Sequence, residues 1–276
     1  MRVALAQLAS SPDREANLAR VAGAMAEAKR AGADLVAFPE VVLDRFFPVR
    51  PDDRAALHLA EPIPGPVTDR IAGLARELSL VTVFNLYEVD AEGRRFDSSP
   101  VFDADGRLLG VTRMLHITDY EGFHEQSYYH PGDTHGDGMP VFDTRVGRIG
   151  VAICYDRHFP EVMRTLGVQG AELVVIPQAG TIGEWPEGMY EAEVRTAAFQ
   201  NGYFTALCNR VGEEGALTFA GESFVVDPEG RVLARGKSLA EDLVICDVDL
   251  GLCRESTARR LFFRHRRPEL YRHWPS

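Results

Sequence analysis

The amino-acid sequence predicts an α/β protein arranged as a four-layer α-β-β-α sandwich. Three observations predict it: a β-α-β order opens each half of the chain, each half closes on a hairpin signal, and the strands are compact apolar runs of the buried type. If each half supplies a mixed sheet covered by helices on one face, the two open faces must be buried against each other. A dinucleotide-binding domain is the competing α/β arrangement, but no GxGxxG follows the first strand.

The elements follow in order. RVALAQL is a short apolar strand, ended by Ser11-Pro12-Asp13. From Asn17 to Ala31 the apolar residues Leu18, Val21, Met25 and Ala28 recur at helical steps, and Gly32 ends that helix. Asp34 to Phe38 reads as a buried strand parallel to the first, with Glu40 just past its carboxyl end. After the prolines Pro62, Pro64 and Pro66, the helical spacing returns from Val67 to Leu78, and LVTVFNL is the next strand. Two alternating runs joined by Asp103-Ala104-Asp105-Gly106 form a hairpin. The second half repeats this order with GRIGVAIC as a strand, a proline-opened helix from Pro160 to Leu166, and ELVVIP as a strand. A helix from Tyr190 to Asn201, the strand YFTALCN and a hairpin closed on Asp227-Pro228-Glu229-Gly230 complete it. The two halves share element order and no residue-level repeat. We read one domain over 1–276, with a core over 1–255 and a tail over 256–276.

A chain of 276 residues is long enough to bury a large core. Thirty basic against 41 acidic residues give a net charge of −11, which argues against nucleic-acid and anionic-membrane partners. No apolar run reaches the roughly 18 residues of a membrane span, and the N-terminal stretch is too short for a signal peptide; a cytoplasmic location is expected. The four cysteines Cys154, Cys208, Cys246 and Cys253 show no CxxC spacing, which suits a reducing compartment. Only Lys29 and Lys237 are lysines, so a mechanism that needs a lysine has two candidates. The basic, aromatic tail ARRLFFRHRRPELYRHW suits packing at an oligomer interface better than RNA binding.

The strongest local constellation is GVAICYDRHFPE, which puts Cys154 between a buried strand and a proline-started helix. Backbone N–H groups in such a turn favour a thiolate and can hold an oxyanion, the Tyr155 N–H for example. An unassisted thiol, with a pKa of about 8.5, is only slightly ionised at neutral pH, so a base is needed. Glu40 would share the strand-end crevice, where apolar surroundings raise a carboxyl pKa toward neutrality. The alternatives are a buried small side chain for Cys154 and a solvated loop residue for Glu40.

Taken with ALAQ, LVAFPE, EGFHEQSYYHPGD, NRVGEE, the FAGES-to-DPEG stretch and RRPELY, these residues resemble the carbon–nitrogen hydrolases of the nitrilase superfamily nearly end to end. The resemblance implies a cofactor-free, homodimeric or larger α-β-β-α protein that hydrolyses small amide, carbamoyl or nitrile compounds. It further implies Cys154 as nucleophile, Glu40 as base and Glu125 as a supporting glutamate. The family's lysine is missing: in Thr112-Arg113-Met114-Leu115-His116, Met114 stands where the lysine belongs. Arg113 should point to the opposite face of its strand. Methionine carries neither charge nor donor, so three readings stay open: a substitution made to trap a complex, chemistry that dispenses with the cation, or a silent binding protein.

Arg157 resembles an arginine that clamps the carboxylate of N-carbamoyl amino acids in some relatives, a task suited to a guanidinium; the alternative is an ion pair with Asp156 or Glu161. His158 follows in the same YDRHFPE run and is a further candidate for substrate binding, and the resemblance places Trp185 and Tyr190 in a segment that lines such pockets; the alternative for these aromatics is packing. Four histidines, His116, His124, His130 and His135, lack the spacing of a metal site, so no metal is expected. Cys208, Cys246 and Cys253 read as inert.

Overall fold

A computed structural model of the chain describes residues 1–51, 53–133 and 139–271. The first half contains β1 (Arg2–Gln7), α1 (Arg14–Arg30), β2 (Leu35–Ala37), α2 (Pro66–Leu78), β3 (Val81–Val83), β4 (Leu86–Val89), β5 (Arg95–Phe102) and β6 (Leu108–Arg113). The second contains β7 (Val141–Thr144), β8 (Gly147–Val151), α3 (Pro160–Val168), β9 (Leu173–Gln178), α4 (Met189–Asn201), β10 (Phe204–Asn209), β11 (Val211–Glu214), β12 (Leu217–Ala220), β13 (Phe224–Val226), β14 (Val232–Arg235) and β15 (Asp242–Asp247). Short helical segments follow: α5 (Gly251–Glu255), a π-helical turn over Ala258–Phe262, and α6 (Pro268–Tyr271).

One sheet runs β15-β1-β2-β3-β5-β4 with β6 on β5, and the other runs β14-β13-β10-β9-β8-β7. In each, three parallel strands lie at the centre: β1, β2 and β3 in the first, β8, β9 and β10 in the second. Successive side chains on a strand face opposite ways, and here both faces are buried. Val3, Leu5, Leu35 and Ala37 meet Ile149, Val151, Leu173 and Val175 in a cluster between the sheets. Ala4, Ala6 and Val36 pack on α1 and α2, while Val174 and Ile176 pack on α3 and α4. The result is the expected four-layer sandwich.

Several boundaries differ from the periodicity. The first helix begins at Arg14, ahead of the apolar repeat, because Asp13 caps it by accepting from the Ala16 N–H at 3.0 Å. The stretch LVTVFNL is two strands rather than one. It breaks at Asn85, whose buried side chain bonds to the Val41 N–H, Asp97 and Ser99 instead of continuing the ladder's apolar pattern. The pairing of β15 with β1 is set by contacts more than 200 residues apart, out of reach of a local pattern. The topology also makes β8 the counterpart of β1 and β9 that of β2. Glu40 and Cys154 therefore follow strands one place apart in the two sheets, and the residue that ends the counterpart of β2 is Gln178.

The described part of the tail lies against its own chain: Phe262 packs on Phe199 of α4 with ring centroids 5.4 Å apart, and Phe263 sits under Arg164 and Arg259. Among the described residues no helix is long and apolar enough to cross a membrane.

Arg210, fully buried, ties the halves together. It donates to the backbone carbonyls of Glu40, Val41 and Asp44 and to the Glu214 carboxylate. Removing one partner of a buried pair leaves the other charged and unpaired. Arg210→Met should therefore lower the unfolding free energy by about 3–5 kcal/mol, read by urea denaturation; a loss below about 1 kcal/mol would contradict this role.

Candidate active site

The loop after β2 carries Glu40, whose side chain is fully buried. Its neighbour Val41 has φ 46°, a left-handed conformation that is costly for a β-branched residue. Two bonds hold it there: Asn85 accepts from the Val41 N–H at 2.6 Å, and Arg210 donates to the Val41 carbonyl at 2.8 Å. Across the seam, Cys154 opens a 3-10 turn over Cys154–His158 three residues beyond β8, and it too is left-handed, with φ 43°. Strain at both positions, over-determined by their surroundings, is the pattern of a functional site.

The Asp156 carboxylate anchors this turn. It accepts from the Leu115 and His116 N–H groups and from His116 Nδ1 at 2.8 Å, and the His116 ring stacks on Phe159 at 3.5 Å. These bonds clamp the segment after β6 against the cysteine turn. Met114 consequently sits fully buried in the same cluster as Cys154, its own N–H donating to the Asp97 carbonyl at 2.9 Å. Arg113 faces away as its strand position requires, bonded to Glu88 and stacked over Phe96 at 3.9 Å. Neither lysine comes near: Lys29 is exposed on α1, and the Lys237 side chain is 69% exposed beside Asp242.

The structure thus gathers Glu40, Glu125, Met114 and Cys154, and adds two residues that sequence reasoning missed. Asp97, from β5, accepts a bond from Asn85 at 2.6 Å and faces Glu40 and Glu125. In RFDSSPVF, with Arg95, Ser98 and Ser99 around it, nothing marked Asp97 as buried. Gln178 donates from Nε2 to the Cys154 Sγ at 3.2 Å; the available signal was the match of LVVIPQ to LVAFPE, which puts Gln178 where Glu40 stands.

Burial dominates the electrostatics. It pushes the Glu40 carboxyl well above the usual carboxylate range, with Asp97 and Glu125 adding to the effect. Both Glu40 oxygens lack a well-formed hydrogen bond, although the Cys154 thiol lies close enough to oppose the shift. Asp97 is raised by burial to about 7, and Glu125 by burial and Asp97 to about 8. The Cys154 thiol is raised as well, by burial and by Glu40 and Glu125, against which Arg157 acts to lower it. A thiol beside a buried carboxyl can hand its proton across without charge leaving the pocket, which is the requirement for a nucleophile paired with a base.

Arg157 is not a solvated side chain. Its side chain is only 1% exposed, Nη1 donates to the Cys154 carbonyl at 2.9 Å and to Gln178 Oε1 at 2.8 Å, and the guanidinium lies over the Tyr190 ring. Its acidic neighbour is Glu193, 3.6 Å from Nε, rather than Asp156 or Glu161. Among the described residues Nη2 has no hydrogen-bond partner. His158 bonds to Glu193 at 2.7 Å and meets the rings of Tyr155 and Trp185 at 5.1 and 5.0 Å. Tyr120 and Tyr190 both donate to Glu184, whose charge also reaches Cys154. Cys154 keeps 5% exposure beneath these side chains. It does not line the groove of about 550 Å³ between α3 and α4, to whose wall Arg157 and His158 contribute.

Among the described residues no group of three His, Cys, Asp or Glu side chains is arranged to hold a metal. His116 and His124 pair with Asp156 and Asp119, and His130 packs on Phe96; His135 lies outside the described residues. Cys208 is buried against backbone carbonyls, and Cys246 and Cys253 are buried and free.

A family model described as carbon-nitrogen hydrolase matches residues 2–258. The chain is 32% identical to the N-carbamoylputrescine amidase of Arabidopsis thaliana, over 96% of this chain and 92% of that protein. It is 29% identical to the citrullinase of Francisella tularensis, over 98% and 96%. Among solved structures, a carbon-nitrogen hydrolase from Helicobacter pylori G27 matches with a TM-score of 0.90 at 30% identity, over 99% of this chain and 97% of that one. An amidase mutant from Nesterenkonia sp. AN1, with the acetamide moiety of fluoroacetamide added covalently at its active-site cysteine, matches with a TM-score of 0.83 at 26% identity, over 100% and 97%.

The raised carboxyls make stability depend on pH. Asp97 and Glu125 stand at about 7 and 8 against ordinary values of 3.8 and 4.5, so the folded chain keeps protons that the unfolded chain releases. Their contribution is fully present below those ordinary values and is lost as pH rises through 7 and 8. Melting temperature should therefore fall from pH 6 to pH 9, and fall less in Glu125→Gln; a wild-type melting temperature that is flat or rising over this range would contradict it.

Proposed function

We infer the activity from one premise: the chain belongs to the carbon–nitrogen hydrolase family. On this reading it hydrolyses a non-peptide C–N bond in a small amide or N-carbamoyl compound. The observation that carries the reading is the pairing of a buried thiol, Cys154, with a buried carboxyl, Glu40, that lies against it.

Cys154 attacks the carbonyl carbon while Glu40 takes the thiol proton. The tetrahedral intermediate collapses to an acyl thioester as Glu40 returns that proton to the leaving ammonia or amine. Water then attacks the thioester, its proton accepted by Glu40, and the acid leaves with the thiol restored. Glu125 and Asp97 hold Glu40 at a proton affinity suited to both directions of transfer. The Tyr155 N–H is the candidate donor to the oxyanion, and His158 and Trp185 flank the substrate. Arg157, through its unpartnered Nη2, is available to a substrate oxygen or carboxylate.

Met114 is the departure from the family's pattern. It puts neither cation nor donor beside the thiol, and loss of one oxyanion donor alone typically costs about 10²- to 10³-fold in rate. The same observation favours a second reading, a binding protein that no longer turns over. The exposed apolar side chains Met189, Phe199, Leu261 and Phe262 around α4 and the tail support a homo-oligomer on either reading.

Release of ammonia or amine from a panel of amides and ureido acids tests the assignment. Cys154→Ala should abolish turnover, Met114→Lys should raise it by tenfold or more, up to the roughly 10²- to 10³-fold of one recovered electrostatic contact, and the rate should climb with pH above the usual carboxylate range as Glu40 ionises. Turnover that survives in Cys154→Ala removes the hydrolase mechanism. No turnover and no acyl adduct by intact mass, even in Met114→Lys, favours the binding protein.

A further inference from the structure

We propose that Arg157 and Gln178 form one unit that stabilises the Cys154 thiolate, taking the place of the cation that Met114 does not supply. The proposal rests on Cys154 being the nucleophile and goes beyond it in assigning where the positive charge comes from.

The geometry fixes the direction of the relay. A guanidinium only donates, so the 2.8 Å contact from Arg157 Nη1 must end on the oxygen of the Gln178 amide. The other end of that amide is then its NH₂, which points at Sγ from 3.2 Å. Gln178 is fully buried and the Arg157 side chain nearly so, which leaves little water to screen the charge. An N–H donor aimed at sulfur stabilises the thiolate more than the thiol, and a guanidinium bonded to the amide oxygen polarises that donor further.

The charges around Sγ show why such a unit is needed. Glu40 from the loop after β2, Glu125 from the turn it opens and Glu184 from the loop after β9 all disfavour the thiolate, with Tyr120 and Tyr190 also facing it; Asp97 stands behind Glu40. Arg157 is the cation that opposes them. Its charge is only partly compensated: Glu193 lies 3.6 Å from Nε and makes its close bond, at 2.7 Å, to His158 instead. The Tyr190 ring, 4.4 Å from the guanidinium carbon, holds the plane in place. Gln178 touches the reacting sulfur, and Arg157 acts through it as a positioning residue.

The direct test is the rate at which iodoacetamide alkylates Cys154 in the full chain, followed by intact mass from pH 6 to pH 10, with Cys154→Ala identifying the adduct. Gln178→Met, which keeps length and removes the donor, should move the midpoint of the pH profile up by about one unit and slow alkylation below it by about tenfold. Arg157→Met should do the same, Arg157→Lys should recover most of the loss, and the double variant should be no slower than the slower single. Adding Met114→Lys to Arg157→Met should restore the wild-type profile, because a second cation makes the first dispensable. An unchanged midpoint in Gln178→Met with a wild-type melting curve overturns the proposal, whether or not Arg157→Met folds. Turnover that persists in Cys154→Ala overturns the nucleophile assignment, a failure distinct from an unchanged midpoint. Absence of any adduct on wild-type Cys154 across the range overturns both.

Discussion

The burial of two sheet faces against each other is the constraint on which the rest of this molecule depends. Each sheet has helices on one side only, so Val3, Leu5 and Leu35 on one and Ile149, Val151 and Leu173 on the other have no shelter except each other. Closing that seam brings the loop after β2 and the turn after β8 together and excludes water from both. The position of Glu40 against Cys154 and the dryness that shifts their proton affinities are consequences of one packing event.

A dry pocket holding several acids is costly unless protons or cations neutralise them. Here Glu40, Asp97 and Glu125 are driven toward their neutral forms, and Met114 occupies space in the same cluster without contributing charge. The cost is carried elsewhere in the fold. Arg210 and Asn85 pin the strained Val41, and Asp156 pins the strained turn at Cys154 to the backbone beyond Met114. Polar groups that would be liabilities in a core thus hold the two strained backbone positions that carry Glu40 and Cys154.

The two halves share a topology without sharing a chemistry. By register Leu173 stands where Leu35 does, so Gln178 at the end of β9 holds the place that Glu40 holds just past β2, and there Gln178 donates to the thiol while Glu40 presents a carboxyl. Quasi-equivalent strand ends pointing into one seam thus give the pocket its donors from one sheet and its acids from the other. On the proposed reading, a cation is exchanged here for a relay from a different strand, since what a thiolate needs is a field and a donor rather than a particular residue.

Much of this was legible in the sequence. Helical spacing and compact apolar strands gave the layer order, because periodicity records which faces are buried; strand-end positions marked Glu40 and Cys154, and the family resemblance marked Glu125 and Met114. Asn85 breaking a strand, Arg210 bridging the halves, Asp97 beside Glu40 and Gln178 against the sulfur were not legible, since each acts through a partner far away in the chain. Arg157 illustrates the limit: its residue type and position were plain, but whether its guanidinium would meet solvent or the back of the cysteine turn was decided by how α4 and β9 close around it. Sequence determines which side chains are chemically able, because that property is local; tertiary structure decides which of them lose their water together, because burial belongs to the assembled whole.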